Sequence, residues 1–192
     1  DLAGGMLLPA MFFTMITAIV LGMGVPTTAN YVITSTIAAP ALEQMGVPVL
    51  AAHMFVFYFG IIADVTPPVA LAAYAGAGIS GGNALKTGVH ASKLAIAAFI
   101  IPYVFVLSPV LLMVDATPLA IVSVTLTALL GMIAISSALC GFLADHCRPY
   151  ERILLIIAGL LMIKPGGITD LVGLALFVVI LVMQYRRAKE AA

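Results

Sequence analysis

Apolar residues form long runs along this chain, and the polar residues that interrupt them mark where its predicted helices end. One run covers residues 6–21 and the next covers residues 31–42. Both are shorter than the about 20 residues that an α-helix needs to cross a bilayer. The intervening segment, residues 22–30, is rich in glycine, proline and threonine. This pattern predicts a re-entrant helical hairpin over residues 6–44, with its tip near mid-membrane and both ends on one face.

A second polar interruption divides the next apolar segment into two shorter helices. Runs over residues 49–63 and 69–79 flank an Asp-Val-Thr-Pro-Pro sequence at residues 64–68. Together the runs are long enough for one crossing, so a broken transmembrane helix is predicted over residues 49–80. Backbone groups freed by such a break cannot hydrogen-bond to lipid, and irregular backbone at membrane depth is therefore buried in protein or lines a site. Paired breaks of this kind indicate the binding site of a secondary transporter.

The remaining apolar runs predict further membrane helices. A polar segment over residues 80–93 is interpreted as an interfacial linker, and residues 94–114 as a spanning helix. We therefore divide the chain into a C-terminal transport repeat, residues 1–114, and a membrane extension, residues 115–192. The extension is expected to contain three transmembrane helices, at about residues 119–144, 151–163 and 168–186. The second of these is short, and it crosses the membrane only if its flanks contribute.

The composition indicates an all-α integral membrane protein. The chain has 192 residues, of which 64% are hydrophobic and 8% charged, with a mean hydropathy of +1.24. Soluble domains are about 45–50% apolar and 25% charged. A net charge of zero without runs of lysine or arginine argues against a nucleic-acid partner. Cys140, Cys147 and His146 fall short of a zinc set and no catalytic motif occurs, so neither a cofactor nor an enzymatic activity is expected.

The positions of the basic residues predict the orientation in the membrane. If the hairpin opens to the outside, only Lys164 of the eight basic residues lies in an outer loop. The other seven fall in cytoplasmic loops or in the tail, and they are Lys86, Lys93, Arg148, Arg152, Arg186, Arg187 and Lys189. Cytoplasmic loops of membrane proteins carry such an excess of lysine and arginine. We therefore expect a multi-pass protein with a cytoplasmic C-terminus.

Three segments carry a resemblance to a known family. They are residues 22–31 (GMGVPTTANY), 48–59 (PVLAAHMFVFYF) and 66–74 (TPPVALAAY). These segments closely resemble the large membrane subunit of tripartite ATP-independent periplasmic (TRAP) transporters. Within that family they look like the TAXI type, whose permease is often a fusion of the small and large subunits. The resemblance covers residues 1 to about 114, and no role in transport is inferred for the extension.

The resemblance implies a permease in the inner membrane of a bacterium or an archaeon. An extracytoplasmic solute-binding protein would deliver an organic acid, and an elevator motion driven by a sodium or proton gradient would import it. The membrane helices of the small subunit would be either fused N-terminally or separate. The chain begins at Asp1 without a methionine, so we expect it to be the C-terminal part of a longer protein.

The two breaks supply the candidate site residues. A helix that ends within the membrane leaves carbonyls of partial negative charge at its C-terminus and N–H groups of partial positive charge at its N-terminus. Oxygen atoms at the breaks are candidate ligands for a coupling sodium ion, namely those of Gly22, Gly24, Val25, Thr27, Thr28, Asp64, Thr66 and Pro67. The candidates for binding the substrate, an anion suited to a helix N-terminus, are Pro26, Thr28, Asn30, Pro68 and Tyr74.

Asp64 is the carboxylate predicted at membrane depth, where ionised side chains usually face a cavity. We interpret it as a cation ligand or a proton carrier, with a cap of the following half-helix as the alternative. His53 is expected to meet the membrane interface, and Glu43 to be a solvated cap at the outer end of the hairpin or a contact of the solute-binding protein. Two other functions stay open: an ion or solute channel, and a structural membrane subunit without transport.

Overall fold

The computed structural model describes residues 5–163 and 166–190, apart from the side chains of Ala97 and Glu190. Within this part the chain forms α-helices and short 3-10 turns, and no strand. It divides into two compact units, residues 1–112 and residues 113–192. Asp1 and Lys164, which entered the predictions of the chain start and of the orientation, lie outside the described residues.

The first unit contains the two predicted breaks. Its described helices are α1 (Leu7–Gly22), α2 (Thr27–Ile37), α3 (Ala39–Glu43), α4 (Val49–Ile62), α5 (Leu71–Ser80), α6 (Ala84–Leu94) and α7 (Ile96–Leu107). Proline sets the start of α2 and of α4, because Pro26 and Pro48 are their N-cap residues. Between α4 and α5 the chain makes a 3-10 turn, Ala63–Val65, and then stays non-helical through Ala70. Helical geometry is therefore lost at residues 23–26 and again at residues 66–70.

Helix α4 forms the centre of the first unit and packs against α1, α2, α3 and α7. Its apolar sequence suits burial on several sides, and the side chains of Phe55 and Phe59 are fully buried. The ring of Tyr103 from α7 packs edge-to-face against both, with centroid distances of 5.3 and 5.9 Å. This packing holds α4 in place along its length. It therefore also positions, within the first unit, the break that follows α4.

Three segments of the described chain are long and apolar enough to cross a membrane: Ala84–Leu107, Pro118–Cys140 and Gly167–Lys189. The prediction of an all-helical integral membrane protein is thereby confirmed. The first of these segments joins α6 to α7, so the stretch predicted as an interfacial linker contains a helix. Asn83 starts that helix, because its side chain accepts a hydrogen bond from the Lys86 N–H at 3.0 Å.

The second unit is a bundle of three described helices, α8 (Pro118–Cys140), α9 (Pro149–Ile163) and α10 (Gly167–Glu190), in which α9 packs against both others. Glycines allow the helices to approach closely. A methyl group added to Gly159 would come within 2.7 Å of the Gly131 carbonyl oxygen. The interior is formed by small and apolar residues such as Ala138, Leu155 and Phe177.

A polar network closes one end of this bundle. The Glu151 side chain is buried, and its carboxylate accepts hydrogen bonds from Gln184 Nε2 and Arg187 Nη1, each at 2.8 Å. Arg187 also donates from Nε to Asp145 Oδ2 at 2.7 Å and from Nη2 to the His146 carbonyl at 2.8 Å. A buried carboxylate is tolerated only when it is paired and hydrogen-bonded in this way. The network therefore ties the loop before α9 to the end of α10.

Candidate functional site

The two breaks of the first unit face one cavity of about 420 Å³. Its lining comes from the α1–α2 connection, from the 3-10 turn after α4 and from the start of α5. The residues are Gly24, Val25, Pro26, Thr27, Asp64, Leu71 and Ala72. Five of these belong to the candidate set drawn from the sequence, and Leu71 and Ala72 do not. The structure therefore brings the segment around Pro26 and the segment around Asp64 together.

The α1–α2 connection presents backbone groups to this cavity. Gly24 has a φ of +74°, a left-handed conformation that glycine adopts without strain. The first hydrogen bond of α2 joins the Asn30 N–H to the Pro26 carbonyl at 2.9 Å, and no side chain caps the helix. The N–H groups of the first turn, from Thr27 onward, thus have no partner within the helix. They give this side of the cavity a partial positive charge.

The segment between α4 and α5 supplies the opposite side. Asp64 is half-buried in the 3-10 turn. It does not cap α5, whose N-cap is Ala70, and no side chain caps that helix. Leu71 and Ala72, the first residues of α5, line the cavity together with Asp64. A carboxylate and the uncapped N-termini of two helices, α2 and α5, therefore converge on one space.

This combination can hold two kinds of ligand. Uncapped helix N-termini favour an anion, such as a carboxylate. Asp64 favours a cation, and carbonyl oxygens of the α1–α2 connection are further oxygen ligands for a hard ion. None of the described residues that line the cavity is basic, so no side-chain cation offsets Asp64 there. The described residues also contain no group of three or more His, Cys, Asp or Glu side chains arranged to bind a metal ion.

Asn30 lies outside the cavity lining, at the contact of α1, α2 and α4. It is 3% exposed, and its Oδ1 has no hydrogen-bond partner within the described chain. Its amide is held between two glycines, since a methyl group on Gly22 would come within 2.7 Å of Nδ2 and one on Gly60 within 2.6 Å. Asn30 therefore fixes the distance between α2 and the end of α4.

The other candidate residues are not part of the cavity lining. The Thr66 hydroxyl donates to the Ile62 carbonyl at 3.0 Å, and the Tyr74 hydroxyl donates to the Pro68 carbonyl at 2.9 Å. Pro67 packs near Gly88 of α6. The two remaining residues, Gly22 and Thr28, lie at the end of α1 and in the exposed first turn of α2.

Sequence reasoning missed Gly60, Leu71 and Ala72. A glycine in an aromatic helix gives no signal of its own, because only the partner helix reveals that a side chain would not fit there. Leu71 and Ala72 have apolar side chains, and their relevance comes from their position in the first turn of α5. A sequence-based rule could have found them, because the first residues of a helix that restarts after a break tend to line the binding site of a transporter.

One of the comparisons with known proteins found a match. The family model described as "Tripartite ATP-independent periplasmic transporter, DctM component" matches residues 2–120, which is more than half of the chain. No curated protein and no solved structure gave a match. The matched region contains both breaks and the whole cavity lining. The chain therefore belongs to the DctM family, the large-subunit permease component of TRAP transporters, which are membrane systems that work with a solute-binding protein.

Proposed function

We propose that this chain is the transporting part of a TRAP permease of the TAXI type, and that it imports an organic acid together with a sodium ion or a proton. The observation that carries the proposal is the cavity that Pro26 and Asp64 share. Discontinuous helices that meet in this way build the central sites of secondary transporters. An elevator-type movement of the first unit would expose this site to each side of the membrane in turn.

The chemistry of the cavity supports a carboxylate as the transported group. The first turns of α2 and α5 direct partial positive charge towards the space between Thr27 and Leu71. Asp64 alone would repel an anion in that space. A cation bound beside Asp64 removes this repulsion, so cation and substrate each improve the binding of the other. Such mutual dependence is the thermodynamic basis of coupled transport.

The cation is either sodium or a proton carried on Asp64. For sodium, the carbonyl oxygens of Gly24 and Val25 and the Thr27 hydroxyl supply neutral oxygen ligands next to the Asp64 carboxylate. Gly22, Thr28, Thr66 and Pro67 are proposed as further ligands near the same breaks. Asn30, Pro68 and Tyr74, with Pro26 and Thr28, are proposed to shape the substrate side.

The proposal includes the partners and the orientation. The solute-binding protein would dock on the extracytoplasmic side, and the small-subunit helices would be fused to this chain or separate from it. The excess of basic residues in alternate loops supports an inner-membrane protein with a cytoplasmic C-terminus.

The test is uptake of organic acids by the full permease, reconstituted with its solute-binding protein, while sodium and pH are varied independently. We expect Asp64→Asn to lose gradient-driven uptake and to keep normal assembly, because the amide removes the charge that holds the cation. Asp115→Asn is the matched control, since it makes the same change at a residue that belongs to the other unit and is not part of the cavity lining. Loss of uptake without sodium at fixed pH would identify sodium as the coupling ion.

Two results would contradict the proposal. Coupled uptake by Asp64→Asn at the wild-type rate would remove this carboxylate from the mechanism. Flux that does not saturate, and that proceeds without the solute-binding protein, would identify a channel instead of a transporter.

A further inference from the structure

Three polar side chains from three helices form a continuous chain of contacts in the first unit. The Tyr31 hydroxyl from α2 lies 2.9 Å from His53 Nδ1 on α4, and His53 Nε2 lies 3.2 Å from Glu43 Oε1 at the end of α3. The His53 and Glu43 side chains are each 32% exposed. Tyr31 also packs edge-to-face on Phe57, at a centroid distance of 5.5 Å. Both ring nitrogens of His53 are therefore engaged by partners from other helices.

The protonation state of His53 decides how this chain is polarised. In the neutral ring, Nε2–H donates to the Glu43 carboxylate and Nδ1 accepts from the Tyr31 hydroxyl. In the imidazolium, both nitrogens donate, and the contact with Glu43 becomes an ion pair with a charge-assisted hydrogen bond. The heavy atoms need not move, so the same geometry serves both states. The contact between Glu43 of α3 and His53 of α4 is stronger when His53 is an imidazolium than when it is neutral.

Among the described residues, Glu43 is the acidic side chain that lies within 4 Å of His53. Helix α1, which packs on α4, has no titratable side chain. Tyr103 is the titratable residue on α7, and it contacts Phe55 and Phe59. On α4 itself, Tyr58 packs against Phe105. Glu43 is therefore the carboxyl group that contacts His53.

The chain of contacts is connected to the candidate site through α2. Tyr31 follows Asn30, whose amide is held against Gly60. Gly60 lies seven residues after His53 on α4, about two helical turns. Helix α2 is thus attached to α4 at two points, by the Tyr31–His53 contact and by the packing of Asn30. A change in the Tyr31–His53 contact therefore alters how firmly α2 is held beside the cavity.

We propose that His53 is a positioning residue that holds α2 and α3 against α4, and that its protonation strengthens this attachment and raises the affinity of the cavity for substrate. The inference rests on the proposed transport function. It predicts that the apparent KM for the transported acid falls as the compartment facing His53 is acidified. A partly exposed ion pair of this kind supports a change of about twofold to fivefold.

The experiment measures the apparent KM of the reconstituted permease with its solute-binding protein between about pH 5 and 8, where histidine changes its charge. His53→Gln keeps the approximate size and the polarity of the side chain and replaces the imidazole by an amide that carries no charge. We expect its KM to lose the fall on acidification, and Glu43→Gln to lose it as well because no ion pair can form. His90→Gln, which changes an exposed histidine on α6, is the matched control and should keep the wild-type dependence of KM on pH.

A second measurement separates this inference from the function on which it rests. The difference in Tm between wild type and His53→Gln should increase on acidification in detergent, where no transport is needed. Wild-type protein that transports no organic acid would overturn the proposed function. The Tm values would still test whether protonation of His53 strengthens the attachment of α2 and α3 to α4. A His53→Gln variant with the wild-type dependence of KM on pH, or a Tm difference that is constant with pH, would overturn the role of His53.

Discussion

The backbone of Gly60 lies so close to the Asn30 amide that a methyl group at this glycine would come within 2.6 Å of Nδ2. The same methyl group would come within 2.9 Å of Oδ1. Gly60 belongs to α4 and Asn30 to α2, so the contact joins the hairpin to the helix that precedes the second break. The two breaks are held beside each other by a contact that tolerates no larger residue.

We expect Gly60→Ala to lower the free energy of unfolding by about 1–3 kcal/mol, which is the cost of overpacking a tight contact. It should also reduce uptake, because α2 must move away from α4 to accommodate the methyl group. Thermal unfolding in detergent and uptake in proteoliposomes measure the two effects.

Gly76→Ala is the matched control for this substitution. Gly76 lies in α5, and a methyl group there meets no atom within 4 Å. Alanine is a better helix former than glycine by about 1 kcal/mol, so this variant should be neutral or slightly more stable. Equal stability of the two alanine variants would contradict the close contact at Gly60.

Arg187→Gln should strongly destabilise the second unit. The substitution leaves the Glu151 carboxylate, which is 1% exposed, without its cationic partner. Removing one member of such an ion pair leaves the buried carboxylate without a compensating charge, which destabilises the folded state. Arg186→Gln makes the same change at the neighbouring position, where the side chain is exposed, and should have little effect. The Tm values of the two variants test this, and a loss of similar size in both would indicate that only net charge matters.

Acidification should weaken the same network through Asp145. The hydrogen bond from Arg187, together with one from the His146 N–H, holds the pKa of the Asp145 carboxyl below its ordinary value of 3.8. Because the folded-state pKa is the lower one, Asp145 stabilises the folded protein above pH 3.8, and this contribution is lost as the pH falls through the lowered value. Asp145→Asn cannot titrate and should lack this part of the acid dependence.

The measurement is Tm against pH for wild type and Asp145→Asn, from neutral pH into the acid range. The two curves should differ at neutral pH and approach each other in acid, where the wild-type carboxyl also becomes neutral. Curves that stay parallel down to the lowest pH would show that Asp145 takes no part in the acid dependence.

The breaks of the first unit could be predicted from the sequence, because glycine, proline and threonine interrupt apolar runs at residues 22–30 and 64–68. At the first, α1 ends at Gly22 and α2 begins at Thr27. At the second, α4 ends at Ile62 and α5 begins at Leu71, so the interruption extends beyond residues 64–68 on both sides. The partners across the breaks could not be predicted. The sequence places His53 at the membrane interface and gives no partner for it, whereas the structure joins His53 to Tyr31 and Glu43. Periodicity within one helix contains no information on which other helix supplies the contact.

Arg187 illustrates the same limit in the second unit. In the sequence it counts as one of several basic residues near the end of an apolar run, which is the pattern of a solvated membrane boundary. In the structure it is bonded to Asp145 and Glu151, two acidic residues about 40 positions away in the chain. Charge patterning predicts the side of the membrane, but it cannot distinguish a free arginine from one that closes a buried network.

Asp64, the one ionisable side chain among the described residues that line the cavity, has an electrical consequence. When this carboxylate is ionised, the proposed elevator would carry a net negative charge if it moved empty, and no net charge from side chain and ion if it moved with one bound monovalent cation. A full elementary charge crossing the membrane field is worth about 2.3 kcal/mol per 100 mV. The membrane voltage would therefore act on the return of the empty carrier, and the number of cations that accompany each acid would determine the current of the whole cycle.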